Sequence, residues 1–83
     1  MITEEELTQM EHRANSAQSG PWKAYIEGRD HESGASFIMT GPEDQRGDDI
    51  EMIGATIADY DFIAHARQDI TRLIDEIRKL RRK

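Results

Sequence analysis

Near the start of the chain, apolar residues recur at intervals of three and four, at Leu7, Met10, Ala14 and Ala17, a spacing that gathers them on one face of a helix. Thr3 precedes this stretch and Glu6 follows it by three positions. That is the spacing at which a threonine hydroxyl and a glutamate carboxylate satisfy each other's free backbone N–H groups. Glu4 and Glu5 add negative charge at the positive end of the helix dipole. The stripe is narrow, so the helix should lie on something larger. It should end near residues 17–19, because Gly20-Pro21 cannot continue a helix.

Beyond Pro21 the pattern changes to short β-prone runs. Residues 22–27 and 35–40, separated by the polar stretch 28–34, read as a hairpin with a long loop. A second polar stretch, 41–49, leads to residues 50–57, where Ile50, Met52, Ile53, Ala55 and Ile57 predict a third strand with a bulge near Gly54. The last segment carries the clearest period. With Asp59 expected as its cap, apolar positions run Ile63, Ala66, Ile70, Leu73, Ile77 and Leu80 in alternating steps of three and four, and Phe62 and Ile74 widen the stripe. A wide stripe is expected to pack on the chain's own sheet, while a strict seam would pair helices of two chains; in the distal half of this helix the second arrangement stays open. Asp61 with His65, His65 with Asp69, and Asp75 with Lys79 are four apart and support an exposed helical face. The expected fold is therefore α+β: an N-terminal helix, a small antiparallel sheet of about three strands and a long C-terminal amphipathic helix packed on that sheet.

Composition narrows this further. Eighty-three residues, 36% hydrophobic and 34% charged, suit one domain over residues 1–83 with a thin core, which makes a homo-oligomer an expected partner state. The absence of cysteine removes disulfides and thiol chemistry. With no signal-like start and no long apolar run, it points to a cytoplasmic protein without membrane contact. Charge is unevenly spread. Residues 1–61 hold fourteen acids against four Lys or Arg, a net of −10, and residues 62–83 hold three against seven, a net of +4, within the total of −6. The basic run 78–83 is explained by the negative end of the helix dipole, and the acidic remainder would repel a phosphate backbone, so nucleic acid is not expected as a partner.

Chemistry-bearing residues are sparse. Asp30, His31, Glu32, Asp44, Asp48, Asp49 and Glu51 supply oxygen and nitrogen donors, but their spacing fits neither an EF-hand nor a histidine-paired zinc site; they are read as solvated loop residues, and no metal or cofactor is expected. His12 and His65 fall on polar helix flanks, and no nucleophile or carboxylate pair has a diagnostic setting. No catalytic residue is assigned and the chain is read as not an enzyme. Arg29 and Arg46 each stand beside a glycine in one of the two loops, an arrangement that grips phosphate or carboxylate if the loops converge. With His31 on the first loop and Trp22 and Tyr25 near it, these five are the candidate ligand-binding residues, although a tryptophan after a helix-ending Gly-Pro is more often a core plug.

Gly20-Pro21-Trp22, and the opening of the last helix from Asp61-Phe62-Ile63-Ala64-His65-Ala66-Arg67 through Asp69 to Ile77, resemble the small phage and prophage proteins grouped as Ead/Ea22-like. The likeness covers roughly both ends of the chain and leaves the middle, from Arg29 to Ile57, without counterpart. It implies a phage or prophage accessory protein, acting in the host cytoplasm, and supplies no site residues. Within it the first expectation is a non-enzymatic, oligomeric binding module that counters host defence by sequestering a small nucleotide-like signalling molecule. The alternative is an acidic protein-protein effector that binds and inhibits a host protein through the acidic surface of residues 1–61.

Overall fold

The computed structural model describes residues 1–82. Its elements are helix α1 (Glu4–Ser16), strand β1 (Trp22–Tyr25), strand β2 (Phe37–Thr40) and helix α2 (Ile57–Arg81). The α+β order of the sequence analysis holds, with a sheet of two strands where about three were expected. Of the basic run 78–83, Lys83 lies outside the described residues.

α1 begins as its capping box requires. The Thr3 hydroxyl accepts the Glu6 N–H at 3.1 Å and Glu6 Oε1 accepts the Thr3 N–H at 2.8 Å. These bonds hold the Glu6 carboxyl below its usual range. The helix stops at Ser16, and Gly20-Pro21, a cis peptide, leads into β1. α1 lies against the distal half of α2. Leu7 is fully buried there, and Arg78 of α2 reaches Glu11 at 2.7 Å and Glu4 at 3.2 Å, so one guanidinium ties α2 to two turns of α1.

β1 and β2 pair antiparallel, with Trp22 opposite Thr40 and Tyr25 opposite Phe37. Alternation sends Ala24 and Ile38 inward, where they join Ile26, Tyr60 and Ala64 in the core, and sends Lys23, Tyr25, Phe37 and Met39 to the outer face. The free edge of β1 is covered by a side chain. Gln68 of α2 accepts the Trp22 N–H at 2.8 Å and donates to the Trp22 carbonyl at 3.0 Å, satisfying the groups that an edge strand otherwise leaves open at this position.

The third strand expected over residues 50–57 is reduced to one bridge. Ile50 and Ile38 exchange both backbone hydrogen bonds, at 2.8 and 2.9 Å. The next pair of that ladder would be Ser36 with Met52, and the Tyr60 phenol occupies the place. It accepts the Met52 N–H at 3.0 Å and lies 3.2 Å from the Met52 carbonyl and 3.3 Å from that of Ser36. In the other direction Thr40 turns its hydroxyl to the Asp48 carbonyl at 2.8 Å. Side-chain oxygens from the core therefore end the pairing on both sides. The chain then turns at Gly54 (φ 79°), and α2 starts earlier than expected: Thr56, not Asp59, is the cap, and Asp59 closes a second capping box with it at 3.0 and 3.1 Å.

α2 packs on the sheet, but through a face offset from the apolar stripe of the sequence analysis. Its buried positions are Tyr60, Ala64 and Ile74, while Ile70, Leu73 and Leu80 of the stripe stay exposed. The radius of gyration is 15.1 Å, above the roughly 12 Å of a compact domain of this length, because α2 runs on past the sheet with only α1 beside it.

Candidate functional site

The outer face of the hairpin holds the densest group of ligand-competent side chains. Tyr25 and Phe37, cross-strand partners, stack with ring centroids 5.7 Å apart and planes 14° from parallel. His31 closes one side, 5.3 Å from Phe37 and 6.4 Å from Tyr25. Lys23 Nζ lies 5.1 Å from the Tyr25 ring centroid, within cation–π range. From Tyr25 a cleft of about 190 Å³ extends to the 41–46 loop, lined by Lys23, Met39, Pro42, Glu43 and Arg46. Among the described residues, neither Lys23 nor Arg46 has a carboxylate within ion-pair distance.

Both loops are built on glycines in the left-handed region. Gly28 (φ 83°) opens the tight turn in which the Arg29 and Asp30 N–H groups donate to the Ile26 carbonyl. Gly41 (φ 84°) folds the second loop back, so that Gly47 N–H returns to the Thr40 carbonyl at 3.0 Å. Gln18, just beyond α1, fastens that loop: its Oε1 accepts the Asp48 N–H at 2.8 Å and lies 3.2 Å from the Thr40 hydroxyl.

Of the five candidate residues, Tyr25 and Arg46 line one cleft and His31 borders it through the aromatic group. Trp22 lies on the opposite face of the sheet, half-buried against the core, with its indole N–H donating to the Gln18 carbonyl at 3.1 Å. Arg29 is committed elsewhere. Its guanidinium donates to both oxygens of Asp61 on α2, at 2.8 and 3.0 Å, and to Asp30 at 3.0 Å, so it holds the first loop to the helix. Asp30 in turn accepts the Ile26 N–H at 2.8 Å. Lys23 and Phe37 were not among the candidate residues. Both carry a readable signal, since Lys23 is two residues before Tyr25 in one strand and therefore on its face, and Phe37 follows from the hairpin register.

The Arg29 cluster has a pH signature. Hydrogen bonds from Arg29 hold the Asp61 carboxyl below its ordinary range, and those from Arg29 and the Ile26 N–H do the same for Asp30; Arg29 is raised in return. A carboxyl depressed in the folded chain contributes stability that is present above its unfolded value, near 3.9, and is lost as pH falls through the lower folded value. Thermal midpoints are thus expected to drop as pH is lowered from about 5 toward about 2, with a shallower drop in Asp61→Asn. An identical slope in that variant would show that the pair contributes nothing.

Among the described residues no group of three or more His, Cys, Asp or Glu side chains is placed to hold a metal ion, and no helix is long and apolar enough to cross a membrane. Comparison with protein-family models, with curated proteins and with solved structures finds no match.

Proposed function

We propose that the chain is a non-enzymatic binding module whose outer hairpin face takes a nucleotide-like anion. The observation that carries this reading is the pair of cations, Lys23 and Arg46, which among the described residues have no carboxylate within ion-pair distance, Glu43 of the same cleft included, beside stacked Tyr25 and Phe37 in a chain of net charge −6. Acidic residues abound, so two unpaired cations sharing a cleft mark where an external anion is most favoured. The cleft volume of about 190 Å³ is smaller than the roughly 300–1,000 Å³ of sites that enclose a drug-sized ligand. It therefore holds the phosphate end of a nucleotide, with the rest of the ligand over the aromatic group. The resemblance at Gly20-Pro21-Trp22 and at the start of α2 adds the biological frame, a phage or prophage accessory protein that sequesters a host signalling nucleotide.

Calorimetric titration with adenosine and guanosine diphosphates tests the placement. Charge-assisted contacts at an exposed site are worth about 1–1.5 kcal/mol each, so Lys23→Ala/Arg46→Ala is expected to weaken binding by about 10-fold or more. Arg29→Ala, whose partners are Asp61 and Asp30, is expected to leave affinity within about 2-fold. Equal affinity in the double variant would overturn the site.

A further inference from the structure

The apolar stripe of α2, which the core covers in part at Ile63, has the composition of a two-stranded parallel coiled coil. Written as heptads, position a is isoleucine three times, at Ile63, Ile70 and Ile77, and position d is Ala66, Leu73 and Leu80; β-branched residues at a with leucine at d favour parallel pairs. Ile70, Leu73 and Leu80 are 45, 60 and 62% exposed, a contiguous apolar ridge of the kind that marks an interaction surface. The sheet and α1 pack chiefly through Tyr60, Ala64 and Ile74, beside the ridge; α1 and Trp22 border it at Ile63, Ala66 and Ile70, and it is most open at Leu73 and Leu80.

The flanks of this ridge identify the occupant. On one side, the g positions are Phe62, Asp69 and Glu76; on the other, the e positions are Arg67, Ile74 and Arg81. Ile74 is buried under α1, which adds its own Arg13 to the e side. One flank is therefore acidic and the other basic, although Arg81 also pairs with Glu4 of its own chain at 3.4 Å. In a parallel pair each g residue meets the e residue five positions on in the other chain, so Glu76 of each copy meets Arg81 of the other, twice by symmetry, while Asp69 falls at the level of Ile74. Antiparallel pairing would set acid against acid and arginine against arginine. The first g residue, Phe62, is 75% exposed and meets Arg67 of the second copy. Beside Arg67 lies an apolar groove of about 430 Å³ between Met10 and Ala14 of α1 and Ile63, Ala66 and Ile70 of α2. A protruding phenyl ring and an apolar groove at the same heptad level are complementary.

We infer that α2 is the seam of a parallel homodimer, in which Phe62 of each copy enters the groove between α1 and α2 of the other. The surface is separate from the anion cleft on the outer hairpin face, and the two readings stand or fall apart.

Sedimentation equilibrium of the full chain is expected to give a dimer at about 100 μM, and Leu73→Glu, which sets a charge in a d layer, to weaken association by about 100-fold or more. Leu73 is exposed in the single chain, so the variant should keep the wild-type far-ultraviolet circular dichroism. Phe62→Ala is expected to cost about 10-fold. Since the chain has no cysteine, orientation is read from added ones: oxidised Leu80→Cys should cross-link to itself. A monomeric wild type, a dimer indifferent to Leu73→Glu, or a Leu80→Cys chain that cross-links only to Ile63→Cys would each overturn the inference.

Discussion

Replacing Ile38 with alanine is expected to lower the unfolding free energy by about 2–5 kcal/mol, the range for truncating a fully buried isoleucine to alanine. Ile38 has no exposed surface and stands where all parts of the core meet. It faces Ala24 across the hairpin, exchanges backbone hydrogen bonds with Ile50 at 2.8 and 2.9 Å, and belongs to the cluster that includes Tyr60 and Ala64 of α2. A chain of this length typically has about 4–12 kcal/mol in total, so the change removes a large fraction of it. Guanidinium titration measures the loss directly, with Ile53→Ala as the reference. Ile53 is fully exposed at the Gly54 turn, and its truncation should stay within about 0.5 kcal/mol. If the two variants cost the same, Ile38 is not at the centre of the core.

That core was only partly legible in the sequence. Both helices and the hairpin followed from period and, for α1, from capping signals, because those are local: Thr3 with Glu6, Gly20-Pro21, and the alternation in residues 22–25 all act within a few positions. The third strand failed for a non-local reason. Residues 50–57 carry β-prone side chains, yet the hydrogen bonds that would extend the ladder from Ile50 go to the phenol of Tyr60, a residue of the following helix. The stripe of α2 failed similarly. Its period marked an apolar ridge correctly, but a period does not say which neighbour covers a face, and the sheet took Tyr60 and Ala64 instead.

The candidate site divides along the same line. Tyr25 and Arg46 were readable as an aromatic and a cation, and the fold puts them on one cleft. Arg29 has the same local setting beside a glycine, but its fate depends on Asp61, thirty-two residues away, a pairing no spacing rule reaches. Trp22 was a candidate ligand residue whose commoner role is a core plug, and strand alternation, which places it opposite Lys23 and Tyr25, turns it to the core side.

Gly41→Ala is expected to disable the proposed anion site while leaving the rest of the fold in place. Gly41 has φ 84°, and a Cβ there would lie 2.5 Å from the Gln45 carbonyl oxygen and 3.1 Å from the Gly47 nitrogen. Both are backbone atoms, so no rotamer change relieves the clash and the 41–47 loop must open. Left-handed backbone at a non-glycine residue costs about 1–3 kcal/mol, and the overlap adds to it. The loop carries Arg46, and its displacement separates that guanidinium from Lys23 and Tyr25. Binding of nucleoside diphosphates should therefore fall at least about 10-fold, as in the double cation variant. Gly28→Ala is the control: its φ of 83° brings the same conformational cost, but a Cβ there meets nothing within 4 Å, and the loop it strains is tied down by Arg29 and Asp61. Binding lost in a folded Gly41→Ala and kept in Gly28→Ala separates damage to the cleft from the cost of a strained glycine position. Full affinity in a folded Gly41→Ala would mean that the 41–46 loop takes no part in holding the anion.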